Sequence, residues 1–361
     1  MLFNQEVRMA TLKIVEFLVE AGRCAPSADN TQPWRFYWDG RRLTLRYDKR
    51  RIGSASFPVH HQATLLTMGA VIENVIQAAA AIGLYGDQKV QAPQEEPFEF
   101  FRLILDADQQ AISIPEDLPL FRRHTNRLPF SRKSLPEKFL EFLHKSSGPV
   151  TGMKVFEGAA NLNKIAELIR EASEVRFQTR EIHEWFVRSL RFDKAEVESG
   201  DGLDVLTFGL PPGGKALLRF ISDWKRMSAL NRIKGYKLLA AIEAASIKKA
   251  GAVIAITGEP GMEAAVEAGR LMERVWVEAN ASGLGVQPYY IVSDQIARLT
   301  EGNVPEGLVG KVIRLESNAR KVLELGDQSL YMLLRVGSPV KEPVRSVRLP
   351  LEAVFSVSQQ D

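Results

Sequence analysis

Two segments of this chain resemble each other at a constant offset of 200 residues, and this internal repeat limits the folds that the chain can adopt. Residues 69–84 and 269–284 agree at seven of sixteen positions, including the first glycine, a glutamate and a final Gly-Leu pair. Both copies have the pattern of helices that are apolar on most sides, as helices buried between two halves of a protein are. The alternative is that any alanine-rich buried helix ending in glycine resembles any other.

A strand-like segment follows each copy of the repeated helix. Residues 98–105 and 329–336 are rich in Phe, Leu and Val, which favour strands over helices. We therefore predict two related halves, the first over residues 1–120 and the second over residues 121–361. A chain of 361 residues is long enough for two such units.

The composition is that of an ordinary globular protein, with 45% hydrophobic and 25% charged residues. A single cysteine, Cys24, excludes an internal disulfide, and we expect a small buried apolar side chain there rather than a nucleophile. The net charge is only +3, with Lys and Arg scattered among acids, so no nucleic-acid partner is expected. Anionic small ligands remain compatible with this charge.

The beginning of the chain has the pattern of an amphipathic helix. Residues 1–22 carry acidic and basic side chains within an apolar pattern, which is untypical of a signal peptide. No apolar run approaches the roughly 18 to 20 residues that span a bilayer. We therefore expect a cytoplasmic protein without a membrane partner.

Small polar residues stand between two prolines directly after this first helix, where residues 23–36 are RCAPSADNTQPWRF. Pro26 disfavours helical geometry in the residue before it, so the helix should end there. Ser27 and Asn30 can bond their own backbone, as in an Asx-turn, or contact a ligand. Pro33 then removes a backbone donor just before a strand-like segment. The residues alone leave a structural turn and a ligand-binding loop both open.

Residues 26–34 closely resemble the Pro-Ser-x-x-Asn-x-Gln-Pro-Trp signature of the nitroreductase family. These are FMN proteins in which this loop contacts the isoalloxazine ring across a dimer interface. The resemblance implies flavin contacts for Pro26, Ser27, Asn30 and Gln32. It also implies an α+β fold, with a mixed sheet flanked by helices. Because the family is usually homodimeric, the repeat resembles a fused pseudo-dimer.

The segment that opens the second half, residues 121–130 (FRRHTNRLPF), resembles the family's Arg-x-Ser/Thr-x-Arg/Lys motif. The resemblance implies that Arg123 and Thr125 hold phosphate and ribityl oxygens. It implies that Arg127 approaches the N1 and O2 edge of the ring, where a fixed cation favours the reduced flavin. The alternative is a solvated basic linker between the halves.

Two later segments resemble other flavin-contacting parts of the family. Residues 344–351 resemble the final phosphate-binding arm, with Arg345 or Arg348 as the candidate, although a surface arm with unused arginines is the alternative. Gly283 and Gly285 resemble the turn after the central helix, where the backbone lies close to the flavin edge. A plain helix C-cap would also require glycine.

The motifs are not repeated in both halves. Residues 174–185 are the predicted counterpart of the Pro-Ser loop, and they lack its Pro-Ser-Asn pattern. One complete set of motifs predicts one flavin per chain, acting as a monomeric pseudo-dimer or in a further homodimer.

Other motifs in the chain point away from competing functions. Residues 209–216 match G-x-x-x-x-G-K, but Ala216 replaces the magnesium-binding hydroxyl, and Pro211 and Pro212 remove phosphate-binding donors. We expect a lid or connecting loop over residues 199–235, where the family resemblance is weakest. The five histidines have no metal-binding spacing, and no G-x-S-x-G occurs, so neither a metal site nor a Ser-His-Asp hydrolase is predicted.

The family resemblance implies an FMN-dependent oxidoreductase that takes a hydride from NADH or NADPH at flavin N5. The electrons would pass to a small-molecule acceptor such as a quinone or a nitro compound. A second hypothesis is a flavin-binding or flavin-storage protein whose lid restricts nicotinamide access. A third is a flavin enzyme that fragments or dehalogenates its substrate, since one fold hosts several chemistries.

Overall fold

The computed structural model describes residues 2–51, 57–105 and 112–358, with side chains from residue 11 onward. The helices are α1 Leu2–Arg23, α2 Gln62–Ala81, α3 Pro119–Arg122, α4 Glu137–Lys145, α5 Gly158–Gln178, α6 Arg180–Ser189, α7 Lys194–Val197, α8 Gly214–Ile221, α9 Trp224–Arg232, α10 Gly235–Ala245, α11 Met262–Ala281, α12 Ile291–Thr300, α13 Val309–Val322 and α14 Leu351–Val354. The strands are β1 Trp34–Trp38, β2 Arg42–Tyr47, β3 Gln88–Val90, β4 Glu99–Ile104, β5 Phe130–Ser131, β6 Thr151–Glu157, β7 Leu190–Arg191, β8 Leu203–Asp204, β9 Ala252–Gly258, β10 Gly285–Tyr289, β11 Ser329–Pro339 and β12 Phe355–Val357. The predicted combination of helices and sheets in an α+β protein is confirmed.

The two larger sheets have matching strand orders, β12-β1-β2-β4-β3 and β10-β11-β9-β6. In the first sheet, β3 and β4 follow α2 and are adjacent, and the next strand is β2, which precedes α2. In the second sheet, β10 and β11 follow α11 and are adjacent, and the next strand is β9, which precedes α11. The first sheet is mixed, because β12 pairs in parallel with β1, with Phe36 opposite Phe355. A strand from the second half therefore completes the sheet of the first.

Helices α2 and α11, which carry the repeat, cross in backbone contact at Gly69 and Gly269. A Cβ atom on Gly69 would lie 2.0 Å from the carbonyl oxygen of Val266, and one on Gly269 would lie 2.1 Å from that of Leu66. No side chain fits at such distances, so both positions require glycine. The contact is reciprocal, since residue 69 meets 266 and residue 269 meets 66, as in an interface between two equivalent surfaces.

Helix α2 is unusually apolar because nearly all of its sides are covered. Within the described residues it is the one helix long and apolar enough to span a membrane by length and composition, and 83% of that stretch is buried inside the protein. The prediction that no apolar run approaches this length was therefore wrong for α2. Its residues Met68, Val71, Ile72 and Val75 are fully buried in the main core, which accounts for the composition.

The predicted second half contains a helical segment between β6 and β9, which we call the insertion, that is much longer than the predicted lid. In the first half β1 and β2 form a hairpin, whereas the strands in matching positions of the other sheet, β6 and β9, are separated by residues 158–251. The insertion holds α5 to α10, and α5 packs on α10, α12 and α13 over a second core cluster. The Pro-Ser loop precedes β1, and β6 occupies the matching position in the other sheet. The counterpart of this loop should therefore be the segment that precedes β6. Residues 174–185, the predicted counterpart, lie in the insertion instead, so this assignment was wrong.

The helix crossing gives a stability prediction. Gly269→Ala should destabilise the protein by roughly 2 to 3 kcal/mol or more, because the added methyl group forces two backbones apart. The matched control is Gly310→Ala in α13, where the new Cβ approaches only the end of the Arg314 side chain, at 3.9 Å. There the gain in helix propensity should leave stability unchanged or raise it by up to about 1 kcal/mol. Urea unfolding of both variants tests this, and equal effects would contradict the required close approach.

Candidate functional site

The loop between α1 and β1 is held in an uncommon backbone conformation. Asp29, Asn30 and Gln32 have φ angles of +49°, +58° and +51°, in the left-handed region that non-glycine residues seldom adopt. The hydroxyl oxygen of Ser27 accepts a hydrogen bond from the backbone N–H of Gln32 at 3.0 Å and closes the loop. Such a conformation persists only where surrounding contacts fix it.

Those contacts come from the buried amides of Asn30 and Gln32, which are 6% and 0% exposed. Asn30 donates to the carbonyls of Gly202 and Val347, both at 3.0 Å. Gln32 donates to the carbonyl of Gly200 at 2.8 Å, and its side-chain oxygen accepts from the backbone of the C-terminal arm, which we define as residues 344–350. The two amides therefore join the loop to the insertion and to this arm.

Arg123 lies in a buried ion pair. Its Nε is 3.0 Å from Oε1 of Glu273, and the two side chains are 2% and 0% exposed. The guanidinium also donates to the carbonyl of Cys24 at 2.8 Å and lies over the ring of Trp276 at 4.8 Å. Complete burial raises the pKa of Glu273 to about 7, although the nearby Arg123 charge acts in the opposite direction. The charge of Arg123 is thus balanced inside the protein.

The structure separates the two candidate arginines of the C-terminal arm. Arg345 is exposed, whereas Arg348 donates to the side-chain oxygen of Asn30 at 2.8 Å. The Nε atom of Arg348 is buried and has no hydrogen-bond partner. Burial, followed by repulsion from the nearby Arg123, lowers the pKa of Arg348 to about 10. Arg348 is therefore the arginine of this arm that reaches the loop.

Arg127 and Asp29 face each other from the two predicted halves. Burial lowers the pKa of Arg127, and the Asp29 carboxylate partly offsets this. Burial raises the pKa of Asp29, while a hydrogen bond from Trp185 Nε1 at 2.7 Å lowers it. The insertion covers this pair, since Arg127 donates to the hydroxyl of Thr207 at 3.3 Å and lies over the ring of Phe208 at 5.2 Å.

The remaining predicted residues are placed as follows. Thr125 is half-buried next to the fully buried Asn126. Gly283, with φ of +75°, follows the end of α11 and has open space around it, as a helix C-cap does. A Cβ on Gly285 would lie 2.7 Å from the ring of Phe130, so this packing alone requires glycine there. Pro26 is half-buried beside Ser27 in the loop.

Sequence reasoning missed Asp29 and Trp185, and it also missed a buried cation in β11. Arg335 is 0% exposed, donates to Gln287 at 2.6 Å and to the carbonyl of Leu128 at 3.0 Å, and lies 3.8 Å over the ring of Phe130. These contacts fix the segment that carries Arg127. The available signal was an arginine inside an otherwise apolar strand, which is untypical unless the charge has partners.

These contacts leave the site with an excess of buried positive charge. Arg123 is paired with Glu273, whereas neither Arg127 nor Arg348 has a carboxylate within salt-bridge distance among the described residues. Asp29 and Glu273 act on these two cations only at longer range. A buried donor without a partner is costly and suits an anionic group. No group of three or more His, Cys, Asp or Glu in the described part of the chain could hold a metal ion.

A cavity of about 270 Å³ lies away from this site, at the beginnings of α2 and α11. Gln62, Met262, Ser293 and Tyr331 are among the residues that line it, and none of the predicted site residues does. The cavity therefore adds nothing to the description of the candidate site.

No family model matches this sequence. An uncharacterized protein of Mycobacterium tuberculosis (strain CDC 1551 / Oshkosh), MT1398, is 23% identical over 280 residues, which are 76% of this chain and 38% of that protein. The chain thus spans less than two fifths of the length of the curated relative that it matches.

Solved structures with some similarity include three nitroreductases. A nitroreductase with bound FMN from Bacteroides fragilis is 9% identical, with a TM-score of 0.38 over 67% of this chain and 97% of the other. NfnB from Mycobacterium smegmatis in complex with NADPH is 16% identical, with a TM-score of 0.39 over 66% and 95%. NfnB from sphigopyxis sp. strain HMH is 17% identical, with a TM-score of 0.37 over 67% and 98%. These TM-scores are too low to establish a common fold or activity.

The buried ion pair predicts a pH-dependent effect of Arg123→Met. At pH 8 the variant should lose about 3 kcal/mol or more of unfolding free energy, because Glu273 must then either stay charged without a partner or take up a proton that it does not carry in the unfolded chain. At pH 5 the loss should be smaller. The pKa of Glu273, about 7 against its ordinary 4.5, can only rise when the cation is removed, so Glu273 is then neutral. Urea unfolding of the flavin-free protein measures both values.

The control for this prediction is Arg345→Met, at an exposed position. It should change stability by less than about 0.5 kcal/mol at either pH. The same loss at pH 5 and pH 8 for Arg123→Met would show that the pairing with Glu273 contributes little.

Proposed function

We propose that this protein is an FMN-dependent oxidoreductase of the nitroreductase type, with NADH or NADPH as the reductant. The electrons go to a small-molecule acceptor such as a quinone or a nitro compound. One observation carries the proposal: the loop of residues 26–32, the motif of residues 123–127 and the C-terminal arm meet at one place, around the half-buried Arg348. Its guanidinium has no carboxylate within hydrogen-bond distance among the described residues, and its Nε is buried without a partner. We further propose a cytoplasmic location and no nucleic-acid partner.

The residues present fit the phosphate end of FMN in this proposal. Arg348 offers a buried donor without a partner, and Thr125 lies on the segment between Arg123 and Arg127. Arg123 adds its positive field and holds the carbonyl of Cys24, although Glu273 balances its charge. A phosphate would therefore find one guanidinium without a paired carboxylate, that of Arg348, and one partly neutralised guanidinium, that of Arg123.

The ring end of the cofactor is assigned to the Pro-Ser loop. FMN, when bound, supplies two-electron chemistry, accepting a hydride from nicotinamide and passing electrons to an acceptor. Pro26 and Ser27 are the proposed ring contacts, with Gly283 and Gly285 near the edge. Asn30 and Gln32 shape the site by fixing the loop, since the N–H donors of both amides are already used. Arg127 places a cation beside the pyrimidine edge, where it stabilises developing negative charge.

We also propose that the chain is a fused pseudo-dimer with halves at 1–120 and 121–361. The reciprocal glycine contact of α2 and α11 and the matching strand orders support this. Residues 199–235 act as a lid within the longer insertion, because Thr207 and Phe208 cover Arg127. One set of motifs implies one FMN per chain, in a monomer or a further homodimer.

A flavin-binding or flavin-storage protein is the second candidate function. It is favoured by the same covering contacts, since Thr207, Phe208 and Trp185 lie over Arg127 and Asp29 and would restrict the approach of nicotinamide. The two functions share the cofactor and differ only in access to it.

Flavin titration tests the binding site. The protein should take up one FMN per chain, and Arg348→Met should weaken FMN binding by about 1.5 to 3 kcal/mol while affecting riboflavin much less, since only FMN carries the phosphate. The exposed Arg345→Met is the matched control and should bind FMN normally. A protein that takes up no FMN would refute the proposal. Equal weakening of FMN and riboflavin would refute the phosphate role of Arg348.

Anaerobic reduction separates the two functions. Rapid bleaching of the bound flavin by NADH or NADPH supports the oxidoreductase, whereas bleaching by dithionite alone supports storage. Arg127→Ala should lower the flavin reduction potential while leaving binding largely intact, because the charge that it balances appears on reduction. An unchanged potential would contradict the assignment of Arg127.

A further inference from the structure

Helices α8, α9 and α10, residues 214–245, concentrate positive charge. They contain seven Lys and Arg against two acids, a net charge of +5, whereas the whole chain has a net charge of only +3. The rest of the chain is therefore slightly acidic. The seven cations are Lys215, Arg219, Lys225, Arg226, Arg232, Lys234 and Lys237.

None of these seven cations forms a salt bridge with a residue in the described part of the chain. Arg219 lies over the ring of Phe192 at 4.8 Å and Arg226 over that of Phe220 at 4.8 Å, and both side chains remain exposed. Their charge is thus available to a partner.

The same helices expose large apolar side chains. Five of the fourteen most exposed large apolar residues in the described chain lie there, within 32 residues. On α10, Leu238, Ala241, Ile242 and Ala245 are exposed at the i, i+3, i+4 and i+7 positions of one face, and Leu238 and Ile242 are 66% and 63% exposed. The five large residues are Leu217, Phe220, Ile233, Leu238 and Ile242.

The exposed face of α10 is not a by-product of poor packing. Its opposite face carries the buried Ala240 and Ala244, and the helix packs closely against α5. The apolar stripe at Leu238 and Ile242 is therefore held in place by a well-ordered contact on the other side. Apolar residues displayed in this way mark interaction surfaces.

The combination of positive charge and exposed apolar side chains on these helices favours one class of partner over the others. A second copy of the chain would place one net charge of +5 against another, which is unfavourable. A nucleic acid would satisfy the cations but would leave Leu238 and Ile242 in water. An anionic bilayer satisfies both groups, because phosphates attract Lys and Arg while the acyl boundary receives the apolar side chains.

We propose that α8 to α10 form a docking surface for an anionic lipid bilayer, with the apolar face of α10 in contact with the acyl boundary. Docking on a surface needs no membrane span, so it is compatible with α2 being a core helix. It differs from the sequence-based expectation of no membrane partner, which considered spanning segments only. The proposal does not depend on the flavin.

Vesicle flotation tests the proposal with the whole 361-residue chain. Vesicles of phosphatidylcholine alone should bind little of it, and an equal mixture of phosphatidylcholine and phosphatidylglycerol should bind it strongly at low salt and weakly at high salt. The double variant Leu238→Glu, Ile242→Glu should bind the mixed vesicles at least about tenfold more weakly. The matched control, Tyr85→Glu with Val357→Glu, changes two residues that are 85% and 50% exposed elsewhere and should bind normally.

A second pair of variants isolates the charge. Reversing Lys215, Lys225 and Lys237 to Glu should abolish the preference for anionic vesicles. Reversing three other exposed lysines, Lys138, Lys145 and Lys321, changes the net charge equally and should leave the preference intact. Circular dichroism of each variant confirms that it is folded.

Four results would overturn the proposal. The first is no binding to the mixed vesicles. The second is equal weakening by the target and control variants. The third is a solution mass of two chains that falls to one chain in the Leu238→Glu, Ile242→Glu variant, which would make this face an interface between copies. Displacement of the protein from vesicles by a single-stranded oligonucleotide would likewise assign the cations to nucleic acid.

Discussion

The close crossing of α2 and α11 is the constraint on which the rest of the structure depends. Two glycines allow the helix backbones to touch, with each Cβ position about 2 Å from a carbonyl oxygen of the other helix. This contact lies in the main core, which also contains residues of both larger sheets. The helix contact also determines which residues lie within reach of Glu73 and Glu273, which stand one helical turn after the two glycines.

These two glutamates occupy equivalent positions in the repeat, yet they have different partners. Glu73 pairs with Arg270 at 3.2 Å and Arg274 at 3.1 Å on the opposite helix. Glu273 instead turns to Arg123, at 3.0 Å, and so faces the candidate site. Equivalent positions of the two repeated helices thus have different roles. One glutamate ties the helices together, and the other sets the charge balance of the proposed cofactor site.

The sequence motifs predicted which segments contribute to the candidate site, but they did not predict most of the contacts between those segments. The α+β class could be predicted from the sequence. Local motifs also predicted that the segment of Arg127 and the Pro-Ser loop contribute to one site, whereas the two-repeat organisation stays a prediction. The bonds of Asn30 and Gln32 to residues 200–202 could not be predicted, since partners about 170 residues apart leave no local pattern. The insertion was underestimated for a related reason: α5 has an ordinary helix pattern that does not reveal between which strands it lies. The nitroreductase-type activity remains a proposal.

The parallel pairing of β12 with β1 has a consequence for how the chain reaches its native state. During synthesis β1 emerges early, and its neighbour β12 emerges only after nearly all of the described chain. Until β12 has been synthesised, the first sheet therefore has one unpaired edge, and an unpaired edge can pair with other chains. The arm that carries Arg348 directly precedes β12 and arrives at the same moment. Closing the sheet and completing the candidate site thus both depend on the last part of the described chain, so a chain interrupted before the arm would lack both.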